Sequence, residues 1–146
     1  MRALGIDLGS KRIGVALSDS AGSLSTPYEV VARSGSRERD HARISALAEE
    51  AGAECLVVGL PLSLDGSVGV AAQAAMDEAE ELATATGLPV ELWDERLTTV
   101  TADRDLLALN MNAPARRRVV DKVAASIMLQ AWLDHRHEPT PEDAKR

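Results

Sequence analysis

The sequence predicts an α/β fold, a mixed five-stranded sheet flanked by helices. Three observations carry that expectation. Short aliphatic runs at 3–8, 13–18 and 27–32 follow one another with only Gly, Ser and Asp turns between them, the pattern of an antiparallel meander. Two later apolar runs, 56–60 and 90–93, are each preceded by a stretch of helical periodicity. A strand reached through a helix pairs in parallel, because the crossover returns the chain to its starting end.

Each element has a local reason. Strand 3–8 is followed by the turn Gly9-Ser10-Lys11-Arg12, and strand 13–18 by a second polar turn. Over 38–51, His41, Ile44, Leu47 and Ala48 fall at helical spacing and Gly52 supplies a stop. Leu56 to Leu60 is a short, wholly apolar strand that ends in Gly59-Leu60-Pro61. Residues 68–86 form an Ala-rich helix with acids at Asp77, Glu78, Glu80 and Glu81, closed by Gly87. After strand 90–93, helical signals resume at Thr98 or Thr99 and run to about Leu109. Asn112 and Pro114 mark the start of a last helix, apolar almost all round from Val119 to Leu133 and therefore buried. One domain is expected over 1–136, with a polar tail at 137–146.

Composition narrows the function classes. The one cysteine, Cys55, excludes an internal disulfide and a Cys-rich zinc site, and its apolar setting reads as core. His41, His135 and His137 show no metal-ligand spacing. No apolar run reaches membrane-spanning length and no leader is evident, so a cytoplasmic protein without membrane contact is expected. The net charge of −7 is unevenly spread. Residues 47–95 hold 11 of the 23 acids and no Lys or Arg, while the flanks carry all 16 basic residues. That polarity suits an acidic solvated helix, and it also suits a polyanion held on the basic side. With two Trp, one Tyr and no Phe, base stacking on exposed aromatics is a poor prospect.

Three acids stand where an ionised group is costly. Asp7 lies within an apolar strand, Glu95 directly follows strand 90–93, and Asp121 is bracketed by Val119, Val120, Val123 and Ala124. Singly, each has a plain explanation: an Asx turn before Gly9, an ion pair with Arg96, a buried pair with an arginine. Together they would hold one or two Mg²⁺ or Mn²⁺ ions, which prefer oxygen ligands. Two such ions about 3.5–4 Å apart activate a water and stabilise the leaving oxygen of a phosphodiester. Lys11, Arg12, Arg96, Arg116, Arg117 and Arg118 all lie within a few residues of these acids and are candidate phosphate contacts.

Four segments, GIDLGSKRIGVALSD, VVGLPLSLDGS, DERLTT and VDKVAASIMLQAWLD, resemble the YqgF/RuvX family of small bacterial proteins. The resemblance runs in order through nearly the whole chain. It implies an RNase H-like fold and a hydrolase, a divalent-metal-dependent nuclease, with the family's acidic residues falling on Asp7, Glu95 and Asp121. It favours processing of pre-16S rRNA, with resolution of Holliday junctions or non-catalytic nucleic-acid binding as alternatives. A monomer or weak homodimer is expected. Ser63 stands where many members show Asn. GIDLGS also resembles the phosphate loop of sugar kinases and chaperone ATPases, which need two such domains.

Overall fold

The computed structural model describes residues 1–98 and 113–136, the side chains being described for 1–98 and 120–136. In chain order the elements are β1 (Ala3–Leu8), β2 (Arg12–Ser18), β3 (Ser25–Ala32), α1 (Arg37–Ala51), β4 (Cys55–Leu60), α2 (Val70–Thr86), β5 (Val90–Asp94), a single 3-10 turn (Glu95–Leu97) and α3 (Ala113–Arg136). The five strands form one sheet in the order β3-β2-β1-β4-β5. The β1–β2 and β2–β3 pairs are antiparallel, and β1–β4 and β4–β5 are parallel. This is the mixed sheet that the meander and the two helix–strand units predict. The expected helix from Thr98 or Thr99, the Asn112 cap and the 137–146 tail lie outside the described residues.

Strand alternation sorts β1 into two unlike faces. Leu4 and Ile6 point to one side, where Ile13, Val15, Leu56 and Val58 join Ile44 and Leu47 of α1 and Leu82 of α2 in one core. Ala3, Gly5 and Asp7 belong to the other side, where α3 lies. There Ala16, Val57 and Trp93 meet Ala125, Leu129 and Trp132. Both Trp residues are core groups, and the Trp132 indole N–H donates to Glu91 Oε2 at 2.8 Å. Cys55 is buried on the same side, and burial pushes its thiol pKa up. Each of the fully buried Leu and Ile side chains contributes about 1.5–3 kcal/mol, and both cores hold such groups. The small-residue face lets a helix come close.

The helices begin and end on local signals. Ser36 caps α1, its hydroxyl accepting from the Arg39 N–H at 3.2 Å, and Gly52 and Gly87 close α1 and α2 in the left-handed conformation. The α2 face that packs inward carries Ala72, Ala75, Glu78, Ala79 and Leu82. Glu78, read from sequence among the acids of a solvated helix, is therefore buried. Its position three residues after Ala75 and four before Leu82 places it on the apolar stripe. No helix among the described residues is long and apolar enough to cross a membrane.

Candidate active site at the carboxyl end of the sheet

Parallel strands β1, β4 and β5 end at the same edge of the sheet, where α/β proteins gather their ligands. Asp7 is the second-last residue of β1 and only 9% exposed. Glu95 opens the 3-10 turn directly after β5. Between them, Gly59 near the end of β4 leaves space that a side chain would fill. A Cβ there would sit 2.5 Å from Glu95 Oε1 and 2.8 Å from Met128 Sδ. Gly59 thus cradles the Glu95 carboxylate against the strand end. Asp7, Gly59 and Glu95 border one open cavity of about 530 Å³.

Asp121 reaches the same end of the molecule from α3. Gly14 of β2 is the register partner of Asp7, and its missing side chain is replaced by the backbone of Asp121 and Lys122. The Asp121 carboxylate faces a smaller cavity of about 230 Å³, shared with Gly9, Ser10, Lys11 and Arg12. There it pairs with Arg12, whose Nε donates to Oδ2 at 2.6 Å. Arg12 sits two residues before Gly14 in β2, so alternation turns it to the α3 side. The structure therefore brings Asp7 and Glu95 to one cavity and sets Asp121 beyond the β1–β2 turn on an arginine. Among the described residues, no three His, Cys, Asp or Glu side chains converge as a metal-holding group. Carboxylates such as Asp7 and Glu95 are the donor type that suits a hard divalent ion, since Mg²⁺ commonly takes one or two carboxylates and completes its shell with water and substrate phosphate.

The candidate phosphate contacts divide. Lys11 is exposed and Arg12 half-buried, and both line the smaller cavity, whereas Gly9 and Ser10 of the same turn line both. Arg96 is committed to the protein. Its Nε and Nη2 donate to Asp94 at 2.7–3.1 Å, and Nη1 donates to the Leu64 carbonyl at 3.3 Å. The hydrogen bond from Arg96 is the main cause of a lowered Asp94 pKa. The partner of Arg96 is thus Asp94, and the guanidinium braces the 3-10 turn against the β4–α2 loop. Arg116, Arg117 and Arg118 lie on the first turns of α3, and their side chains fall outside the described set.

A buried network that sequence reading missed supports the floor of the site. Arg33, just past β3, donates from both terminal nitrogens to Glu78 at 2.8 and 3.0 Å and from Nε to the Gly9 carbonyl at 2.8 Å. His41 Nε2 meets Glu78 Oε2 at 2.7 Å. Burial raises the Glu78 pKa, but hydrogen bonds from Arg33 and His41 and the charge of Arg33 outweigh it, so the net direction is down. The network ties the β1–β2 turn, which follows Asp7 directly, to α1 and α2. The only sequence clue was Glu78 on an apolar stripe.

The profile of the family described as "RuvX: Holliday junction resolvase" matches residues 1–135. A relative from Anaeromyxobacter sp., named "Putative pre-16S rRNA nuclease", is 50% identical across 94% of this chain and 99% of its own. A relative of the same name from Acidiphilium cryptum is 47% identical across 97% of this chain and 89% of its own. Among solved structures, RuvC of Thermus thermophilus in complex with Holliday junction substrate covers 93% of this chain and 96% of its own, with a TM-score of 0.58 at 19% identity. At that identity the likeness shows the fold, which is RNase H-like. With a family profile spanning nearly its whole length and relatives near half identity, the chain belongs to the RuvX family.

Proposed function

We propose that this chain is a divalent-metal-dependent nuclease that hydrolyses phosphodiester bonds in structured nucleic acid, with precursor 16S rRNA as its substrate in the cytoplasm. One observation carries the reading. Two carboxylates from different strand ends, Asp7 and Glu95, border one open cavity beside a basic turn. A binding module gains nothing from anions facing a phosphate, whereas a metal-using nuclease requires them. The names of the relatives support rRNA over a DNA junction.

In this reading Asp7 and Glu95 hold the ion, and Asp121 joins them when Arg12 releases it. A bound Mg²⁺ or Mn²⁺ would supply Lewis-acid polarisation of the phosphoryl oxygens and an acidified water. Lys11 and Arg12 bind the sugar–phosphate backbone and orient the scissile bond over the strand ends. When Arg12 turns to a phosphate, the Asp121 carboxylate is set free, so substrate binding and completion of the acidic set are one event. The Arg33 and Glu78 network holds the turn in place throughout.

Asp7→Asn tests the reading. The variant should keep its urea midpoint, lose Mn²⁺ binding in calorimetry, and cut precursor 16S rRNA no faster than buffer. Undiminished cleavage by the variant would refute the assignment. Preferential cleavage of a four-way DNA junction in the same assay would transfer the activity to DNA.

A further inference from the structure

The 530 Å³ cavity is larger than two carboxylates and an ion require, and α2 and the start of α1 also line it. Its far wall is α2, where Ala71, Ala74 and Ala75 share one helical face. Ala71 and Ala74 are exposed, and none of the three carries a side chain beyond Cβ, so the wall is apolar and shallow. The volume falls within the roughly 300–1,000 Å³ of pockets that hold small organic ligands. A base-paired helix does not enter a space of that size.

The polar rim is unusual in its placing. Arg37 is the first residue of α1, where the positive end of the helix dipole disfavours a cation. It is held there by an ion pair with Glu81 at 3.0 Å, with both side chains about half exposed, and such pairs contribute little. Arg37 lines the cavity and can exchange Glu81 for an incoming phosphate. Arg33, deeper in, is fully committed to Glu78 and Gly9 and makes that part of the wall rigid before any ligand arrives. Glu78 is ion-paired within the same network, and Asp7 and Glu95 are the other carboxylates that line the cavity.

We propose that this cavity seats one unpaired nucleotide of the substrate, its base against the alanine face of α2 and its phosphate at Arg37, next to the phosphodiester at Asp7 and Glu95. The orientation rests on the nuclease reading above; the binding does not. The pocket selects substrates in which one nucleotide beside the cut is single-stranded or bulged. The alanine face offers a base contact area without hydrogen-bonding side chains, so it tolerates any base.

The test is an NMR titration of the full-length chain carrying Asp7→Asn, in EDTA, with pentauridylate and with a blunt RNA duplex as probes. Pentauridylate should shift the amides of Arg37, Ala71, Ala74 and Ala75. Adding Ala74→Leu, which fills the cavity from an exposed helical position at little cost in helix propensity, should weaken pentauridylate binding about ten-fold and leave duplex binding unchanged. Arg37→Ala should weaken pentauridylate in the same direction. Shifts confined to Gly9–Arg12, or equal affinity with and without Ala74→Leu, would overturn the proposal. Cleavage is not read, so loss of the nuclease assignment and loss of this pocket are separate results.

Discussion

Gly14 of β2 lies so close to Asp121 of α3 that a methyl group on Gly14 would overlap the Asp121 carbonyl. Because Gly14 is also the register partner of Asp7, this one approach brings the helix acid to the strand acid's end of the sheet. Gly14→Ala must push the α3 backbone away, since no flexible side chain is there to yield. Overpacking of this kind costs about 1–3 kcal/mol, read as a lower urea midpoint, and Mn²⁺ binding should weaken alongside it.

Arg12 and Asp121 make the opposite kind of prediction. Arg12→Ala removes a cation from the substrate path and frees a carboxylate. Affinity for RNA should fall, with the slope of log K against log salt reduced by about one. Mn²⁺ should bind more tightly than to the unmodified chain. Calorimetry showing unchanged Mn²⁺ affinity would remove Asp121 from the ligand set.

Gly59→Ala discriminates function from folding. The added Cβ meets the ends of two side chains, Glu95 Oε1 at 2.5 Å and Met128 Sδ at 2.8 Å, and both can move. Stability should fall by about 1 kcal/mol, the low end of overpacking costs, because the atoms in the way are side-chain ends. Displacement of the Glu95 carboxylate should nevertheless weaken Mn²⁺ binding and cleavage. A variant with normal metal affinity would show that Glu95 does not act from this position.

Glu78→Gln leaves the Arg33 guanidinium without its counter-charge in a largely buried site. A loss of about 3 kcal/mol is expected, at the low end of the range for a broken buried pair. The pH dependence has a definite sign. The folded Glu78 pKa lies below the ordinary 4.5, so its contribution is complete above that value and disappears as pH falls through the folded pKa. The gap between the two proteins should be widest near neutrality and close below pH 4.5 in urea titrations.

Much of this arrangement is legible in one dimension. Alternation in Ala3–Leu8 separates large from small residues, and that separation already says which face a helix must approach closely. Asp7 and Glu95 stand out because each is a charge at the end of an apolar run. Asp40 and Glu78 escape the same reading because helical acids are usually solvated, and their burial depends on what packs over the helix. The choice of Asp94 over Glu95 as the partner of Arg96 depends on a 3-10 turn only three residues long, too short to leave a periodic signal.

The sequence by itself determined the order of strands and helices among the described residues and the buried cysteine and tryptophans, and it singled out Asp7, Glu95 and Asp121 as candidate acids. These follow from periodicity and from the cost of burying charge, which act over a few neighbouring residues. Only the tertiary structure decided that Asp7 and Glu95 share a cavity, that Asp121 rests on Arg12, and that Arg33, Glu78 and His41 form one network. Those relationships join residues far apart in the chain, from 37 to 109 positions for the pairs in contact, and depend on how closely a glycine lets two backbones meet.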